Sequence, residues 1–165
     1  MKFIRSAGLS ELGVVHDLAH SIWPSAYGSI LSKPQLNYML DKIYSLASLQ
    51  AQFATQHHSF IFLVDGTTPI GFASFSEKEN DSSVYHLHKI YILPQQQGKG
   101  SGKMLLDHVV KIAKQNNGVA LTLNVNRYNK ARSFYEKYGF LIKGEADIDI
   151  GNGYFMNDYI MELSF

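Results

Sequence analysis

A predicted strand, a glycine-rich turn and a predicted helix follow one another over residues 90–103, and no other feature constrains the fold as strongly. Gly98, Gly100 and Gly102 alternate within this turn, and two lysines accompany them. Free backbone N–H groups at the start of a helix attract anions, and glycine lets a phosphate approach them closely. The segment therefore predicts a binding site for a ligand that carries a pyrophosphate.

Two common nucleotide-binding loops do not fit this turn. The phosphate-binding loop of ATPases requires glycine at position 97 and serine or threonine at position 104, where the chain has Gln97 and Met104. The dinucleotide fingerprint requires glycine where Lys103 stands, and no acidic residue ends the next predicted strand at residues 124–126. We therefore expect neither ATPase chemistry nor NAD binding.

The rest of the chain is predicted to form short helices and strands. Apolar residues at helical spacing predict three helices in the first third, the first ending before Pro24 and the second beginning around Pro34. The Asp65-Gly66 pair predicts a hairpin turn. Strands are expected at residues 2–5, 60–64, 70–75, 84–92, 119–125, 140–143 and 153–163, with further helices after Gly102 and at residues 130–137.

This order of elements predicts an α/β (or α+β) domain with a mostly antiparallel sheet, rather than a doubly wound parallel sheet. The chain has 165 residues, of which 45% are hydrophobic, so residues 1–165 are expected to form a single domain. Its 15 basic and 14 acidic residues give a formal charge of +1. This near-balance removes the electrostatic argument for binding nucleic acid or a membrane, and neither partner is expected.

The absence of cysteine excludes disulfides, thiolate metal sites and a cysteine nucleophile. No signal-peptide stretch and no transmembrane run is apparent, so a cytoplasmic location is expected. His16 and His20 lie four residues apart on the first predicted helix, but no third ligand is identifiable. We therefore expect no metal site.

Two motifs make the chain similar to a known superfamily. Gln97-x-x-Gly100-x-Gly102 after a strand resembles motif A of the GNAT superfamily of acetyl-CoA-dependent N-acetyltransferases, and residues 129–140 resemble its motif B. The order of the remaining elements agrees with the GNAT fold, a mixed, mostly antiparallel seven-stranded sheet flanked by helices on both faces. Residues 86–92 and 158–161 are further similar to polyamine acetyltransferases of the PaiA type.

The resemblance implies that acetyl-CoA is the co-substrate, with its pyrophosphate on the backbone of the glycine turn and its pantetheine arm along the preceding strand. On this basis the cofactor-binding residues are expected to be Ile90, Tyr91, Ile92, Gln97, Gly98, Lys99, Gly100, Ser101, Gly102, Lys103, Asn124, Asn129 and Arg132. Arg127 and Lys130 are further candidates for phosphate contacts. Basic side chains beside a helix are also commonly just solvated, and asparagines at such a turn are ordinary caps.

The implied reaction is direct attack of a neutral amine on a thioester, which needs an acid for the departing thiolate and a base for the ammonium. Tyr135, at the motif B tyrosine, is the candidate acid, although an aromatic residue there can also simply pack on the sheet. His86 replaces the glutamate that many family members carry and is the candidate base. His88, Glu77 and a water chain remain alternatives for that role.

The acceptor is expected to be a small-molecule primary amine. Residues 144–165 contain five acidic residues and no Lys or Arg, and Glu145, Asp147 and Asp149 share one face of a predicted strand. Such a stripe would attract a polyamine such as spermidine, although a wet strand face explains it equally. A protein or peptide amino-terminal acetyltransferase and a non-catalytic CoA-binding sensor are the alternatives, and a homodimer is left open. The resemblance implies an acceptor pocket built from the helical first third, although packing is the expected role of the aromatic residues there, which are Trp23, Tyr27, Tyr38 and Tyr44.

Overall fold

The computed structural model describes all residues from Met1 to Phe165 and contains a seven-stranded sheet with five α-helices. The strands are β1 (Lys2–Ser6), β2 (Ser59–Asp65), β3 (Thr68–Lys78), β4 (Asp81–Ile92), β5 (Ala120–Asn126), β6 (Leu141–Gly151) and β7 (Tyr154–Ser164). The helices are α1 (Leu12–Tyr27), α2 (Lys33–Tyr44), α3 (Leu46–Ala54), α4 (Ser101–Gln115) and α5 (Ala131–Tyr138). None of these helices combines the length and the apolar character that crossing a membrane requires.

The sheet has the strand order β1-β2-β3-β4-β5-β7-β6. All neighbouring strands are antiparallel except β4 and β5, which are parallel and are connected through α4. This topology confirms the expected mixed, mostly antiparallel seven-stranded sheet. It also puts the only parallel pair at the centre of the sheet, directly before and after the glycine turn.

Helices cover both faces of the sheet, and each face has its own hydrophobic core. On the face that we call the α4 face, Leu105 and Val109 of α4 pack on Leu87 and Leu121 of the central strands. On the opposite face, which we call the α1 face, helices α1 to α3 pack on a cluster that includes Phe72. Residues 60–64 of β2 therefore alternate between the two buried cores.

Helix α1 does not end before Pro24, as the sequence suggested, but continues through it to Tyr27. Proline has no N–H group, so the helix forgoes the bond that residue 24 would normally donate to the carbonyl of His20. Packing compensates for this loss, because Trp23 and Tyr27 are both buried and their ring centroids lie 4.4 Å apart. The extra turn brings Tyr27 over β4 on the α1 face.

Strand β6 is longer than the expected segment at residues 140–143. It bends at an irregularity between Ile142 and Gly144 and then stays paired with β7 as far as Gly151. The tip of the β6–β7 hairpin is held on α2, where the hydroxyl of Tyr38 donates to the carbonyl of Ile150 at 3.0 Å. The hairpin thereby reaches over the α1 face beside the central strands.

Candidate active site

The parallel strands β4 and β5 are paired over only part of their length. Their pairing begins with Val84 opposite Ala120 and ends with Leu87 opposite Leu123. Beyond this point, residues 88–92 of β4 and residues 124–126 of β5 have no strand partner on their facing edges. The resulting gap, which we call the split, exposes the main chain of Ile90, Tyr91 and Ile92 next to the glycine turn.

The glycine turn offers a run of free backbone donors at the wide end of the split. Gly98 and Gly100 both have φ of +76°, a left-handed conformation that favours glycine, and α4 begins directly afterwards at Ser101. None of the amides from Gly98 to Lys103 donates a hydrogen bond within the protein. The side chain of Gln97 donates to the carbonyl of Ile92 at 3.4 Å and so ties the turn to β4. Six consecutive free amides fit the pyrophosphate of a CoA-type ligand.

The basic side chains around the turn fall into two groups. Lys99 and Lys130 form no ion pair. Lys103 pairs with Asp107, and Arg132 pairs with Glu136. Arg127 pairs with both Glu145 and Asp147. Exposed pairs on a helix are weak, so the pairs of Lys103 and Arg132 are readily exchanged for a phosphate. Arg127 instead binds two carboxylates of β6, which partly neutralises the acidic strand face.

Tyrosines from both faces of the sheet meet at the split. Tyr27 comes from α1, and its hydroxyl lies 2.9 Å from that of Tyr91 on β4. Tyr135 comes from α5 on the α4 face and is buried, with its ring against Phe140. Burial raises the pKa of Tyr135, with a smaller contribution from the nearby Tyr27. The Tyr135 hydroxyl makes no hydrogen bond within the protein, so it is available to a ligand.

The asparagines at the end of β5 have different local roles. The side-chain oxygen of Asn126 accepts from the amide of Tyr128 at 2.9 Å, and that of Asn129 accepts from the amide of Ala131 at 2.9 Å. Both therefore stabilise Asx turns in the loop that leads into α5. Asn124 has no such local bond and is exposed on the α1 face, at the edge of the split.

His86 and His88 lie together on the α1 face, as their spacing predicted, with ring centroids 5.0 Å apart. His86 Nδ1 is 2.7 Å from the hydroxyl of Thr122, one residue before the strands separate. Burial lowers the pKa of His86 to about 4, so its ring is neutral at physiological pH. Burial also lowers the pKa of His88, whose Nε2 is 2.7 Å from the hydroxyl of Ser76.

A bulge in β4 explains why His88 faces the same way as its neighbour Lys89. Ser74 lies opposite Lys89 and Phe75 lies opposite Leu87, so His88 is one residue extra relative to β3. Lys89 also points to the α1 face, where its ammonium group contacts Gln52 Oε1 at 2.5 Å. The bulge thus adds a side chain to this face where the pairing with β5 ends.

Glu77 pairs with Tyr85 on β4 and not with a histidine. It lies opposite Tyr85 and accepts a hydrogen bond from the Tyr85 hydroxyl at 3.2 Å, whereas His86 lies opposite Ser76. A groove of about 1270 Å³ at the paired end of β4 borders His58, His86 and His88 and also Glu77. No group of three or more His, Asp or Glu side chains is arranged to hold a metal ion. His16 and His20 bond to main-chain oxygens instead.

Two residues of the split were not predicted from the sequence as site residues. Tyr27 lies in the helical first third, where the resemblance places the acceptor pocket, but packing was its expected role. Asp158 supported only the resemblance, yet it is 6% exposed and lies on β7 opposite Asn126 at the edge of the split. A carboxylate within an otherwise half-buried strand is the signal that could have found it.

A parallel pair of strands that separates beside a phosphate-binding turn defines a protein built to hold an extended, phosphate-bearing cofactor across its sheet. Comparison with known families agrees, since residues 31–156 match the family model for the acetyltransferase (GNAT) domain. The chain belongs to the GNAT acetyltransferase family, which confirms the expected family and fold.

Individual relatives are similar over different lengths of the chain. The peptidyl-lysine N-acetyltransferase YjaB of Salmonella typhimurium is 31% identical over 105 residues, which are 63% of this chain and 64% of that protein. The spermidine N(1)-acetyltransferase of Thermoplasma acidophilum is 27% identical over 98% of this chain and 96% of that protein. The crystal structure of the PaiA N-acetyltransferase from T. acidophilum with coenzyme A superposes with a TM-score of 0.84 at 25% identity, covering 100% of this chain and 99% of that one.

Proposed function

We propose that this protein transfers the acetyl group of acetyl-CoA to a primary amine, with a polyamine such as spermidine as acceptor. The observation that carries the proposal is the position of the split, which begins at Leu87 and opens directly beside six free amides of the glycine turn. An extended pantetheine arm can add to the open edge of residues 88–92 while the pyrophosphate lies on the turn. The PaiA structure that resembles this chain contains coenzyme A.

Acetyl-CoA supplies an activated acyl group as a thioester, and the side chains of the split supply the proton transfers. We assign Tyr135 as the acid that gives its phenolic proton to the departing sulfur. Its raised pKa keeps the proton on the phenol until the thiolate develops. Because the chain has no cysteine, the amine attacks the acyl group directly without a cysteinyl intermediate.

We assign His86 as the base that accepts the proton lost by the attacking amine. Its ring is neutral at physiological pH and so has a nitrogen free to accept a proton, although the lowered pKa makes it a weaker base than an exposed imidazole. Thr122 fixes the orientation of the ring. His88 is less suited, because Ser76 engages its Nε2 and His58 covers its ring. A water held between His86 and the amine would relay the proton equally well.

The preference for a polyamine rests on similarity and on charge. The spermidine N(1)-acetyltransferase is similar along almost the whole chain. The acidic face of β6 supports a polyamine acceptor less than the sequence suggested. Arg127 pairs there with Asp147 at 2.7 Å and with Glu145 at 3.6 Å. Asp149 accepts from the amide of Gly151. A different carboxylate, Asp158, is the better candidate and is considered below.

Acetylation of a protein or peptide amine is the second candidate function. It is favoured by the similarity to YjaB, which is named as a peptidyl-lysine N-acetyltransferase. That relative matches over only 64% of its length, and the first residues of this chain lie outside the family match, which begins at residue 31. Helix α1, which carries Tyr27 to the split, lies outside this family match, so the match alone does not decide which acceptor binds there.

The proposal is tested by acetyl-CoA-dependent thiol release, followed with a thiol-reactive dye, which the cysteine-free chain does not itself consume. The acceptors would be spermidine, spermine, lysine-containing peptides and peptides with free amino termini. Turnover with the polyamines supports the proposal, and turnover with peptides alone replaces it by protein acetylation. Tight binding of CoA with no turnover on any amine identifies a CoA sensor.

A further inference from the structure

Asp158 is a buried carboxylate that lacks a full set of partners. The residue is 6% exposed, and its Oδ1 atom is buried without any hydrogen-bond partner. A buried charged oxygen without a partner is costly, so natural proteins keep one only where something else pairs with it. The carboxylate is therefore a feature that the fold alone does not explain.

The nearest cation does not pair with this carboxylate. Arg127 directs Nη1 to the main-chain oxygen of Asp158 at 3.3 Å and Nη2 to Asp147 at 2.7 Å. The side chain of Asn124 and the charge of Arg127 favour the ionised form of Asp158, but burial outweighs them and raises its pKa. The carboxylate of Asp158 therefore has no positively charged hydrogen-bond partner within the protein.

Asp158 lies at the edge of the split. It is opposite Asn126 in the β5–β7 pair, at the end of β5 that has no partner on its other edge. Its charge contributes to the raised pKa of Tyr27, whose hydroxyl also bonds to Tyr91 on the other side of the split. Asp158 on the β5 side and Tyr91 on the β4 side, to which Tyr27 bonds, therefore flank the gap between β4 and β5.

We propose that Oδ1 of Asp158 binds an ammonium group of the acceptor amine, and that this contact selects cationic amines over neutral acceptors. The inference rests on the proposed function, since it names the residue that would recognise the acceptor. An ammonium group supplies both the positive charge and the N–H donors that the buried oxygen lacks. The exposed carboxylates of β6 are already engaged and do not share this role.

The first test compares wild type with Asp158→Asn, which keeps the shape of the side chain and removes its charge. Calorimetry would measure the binding of spermidine to the protein already saturated with CoA, so that no turnover is needed. We expect the dissociation constant of spermidine to rise about tenfold or more, because the lost contact is a charge-assisted hydrogen bond. The dissociation constant of CoA should change less than about twofold, because the lost hydrogen bond is made to the amine and not to CoA.

Asp65→Asn is the matched control, because Asp65 is a half-buried aspartate at the end of β2, far from the split. It should leave both dissociation constants unchanged. Unchanged spermidine binding in Asp158→Asn would overturn the proposal and leave a buried water as the partner of Oδ1.

A second measurement keeps the proposal testable if Asp158→Asn does not fold. In wild-type protein labelled with carbon-13 at the aspartate carboxyl groups, the Asp158 signal is assigned through its backbone. Adding spermidine to the CoA complex should move this signal and lower its titration midpoint, since a bound cation favours the ionised carboxylate. A signal that ignores spermidine while other signals respond would refute the contact.

These outcomes separate this inference from the proposed function. Spermidine binding that depends on Asp158, without any thiol release, would refute acetyl transfer and retain the amine site. Thiol release with spermidine at an unaltered KM in Asp158→Asn would retain acetyl transfer and refute the amine site.

Discussion

The imidazole ring of His58 stacks on that of His88, with ring centroids 3.7 Å apart and planes only 9° apart. Two rings in this arrangement cannot both carry a positive charge without strong repulsion. Burial, with smaller contributions from Lys89 and His86, lowers the pKa of His58 to about 4, and burial lowers that of His86 to about 4. The histidines of the α1 face therefore form a neutral cluster at physiological pH.

This cluster predicts that stability falls in mild acid. The folded-state pKa values of about 4 lie below the ordinary value of 6.5, so the unfolded chain binds more protons between these limits. The stabilisation from the neutral rings is complete above about pH 6.5 and is lost as the pH falls toward about pH 4. Each ring alone would contribute about 2 kcal/mol between about pH 7 and pH 5, and less for the half-exposed His58, so urea unfolding should show a decrease of about 2–4 kcal/mol. His58→Gln should flatten this dependence, and an equal slope in the variant would refute the explanation.

Replacing Tyr135 by phenylalanine should separate chemistry from binding. The variant keeps the packed ring against Phe140 but removes the proton donor, so kcat should fall on the order of 10²-fold. The dissociation constant of CoA should stay within a factor of about two, since no binding contact is removed. Tyr138→Phe is the control, because the hydroxyl of Tyr138 bonds to Asp107 on α4. An unchanged kcat in Tyr135→Phe would remove Tyr135 from the mechanism.

Gly100→Ala should weaken CoA binding by distorting the turn that presents the free amides. Gly100 has φ of +76°, and a left-handed conformation costs alanine about 1–2 kcal/mol. Gly66→Ala is a matched control, because Gly66 has φ of +64° and, like Gly100, has open space where the methyl group of alanine would lie. Both variants should lose similar stability in urea unfolding, but only Gly100→Ala should raise the CoA dissociation constant. Equal CoA affinity in the two variants would show that the turn does not bind the cofactor.

Phe72→Ala should destabilise the core beneath the acceptor side. Phe72 is 0% exposed and lies between Tyr44 and Tyr91, with ring centroids at 6.1 Å and 5.8 Å. Truncation of a buried phenylalanine costs about 3–5 kcal/mol in the free energy of unfolding. Phe155→Ala, at a site that is 50% exposed, should cost much less. Similar midpoints for both variants would contradict the assignment of Phe72 to the core.

Most of the sheet and the glycine turn could be predicted from the sequence because their signals are local. The Asp65-Gly66 turn, the glycines at 98 and 100 and the apolar stripe of α4 each carry their own physical requirement. The course of α1 through Pro24 could not be predicted, since the loss of a helical hydrogen bond is offset only by tertiary packing of Trp23 and Tyr27. Local sequence rules account for the lost hydrogen bond at Pro24 but not for the packing of residues that are distant in sequence.

The roles of the charged residues were also beyond the sequence. Glu145, Asp147 and Asp149 were expected to attract a cationic acceptor, but Arg127, which is distant in sequence, pairs with two of them. Asp158 belongs to the same acidic segment, and its burial depends on the pairing of β7 with both β5 and β6. Which carboxylates are engaged and which are free is decided by contacts between remote parts of the chain.

The bulge at His88 has a consequence for how the length of β4 can change. Removing one residue from a regular strand turns every later side chain to the opposite face of the sheet. In β4, however, both His88 and Lys89 point to the α1 face, so deletion of His88 would restore simple alternation. Leu87 would stay in one core and Tyr91 in the other. The strand can therefore gain or lose an imidazole beside the cofactor cleft without rearranging either hydrophobic layer.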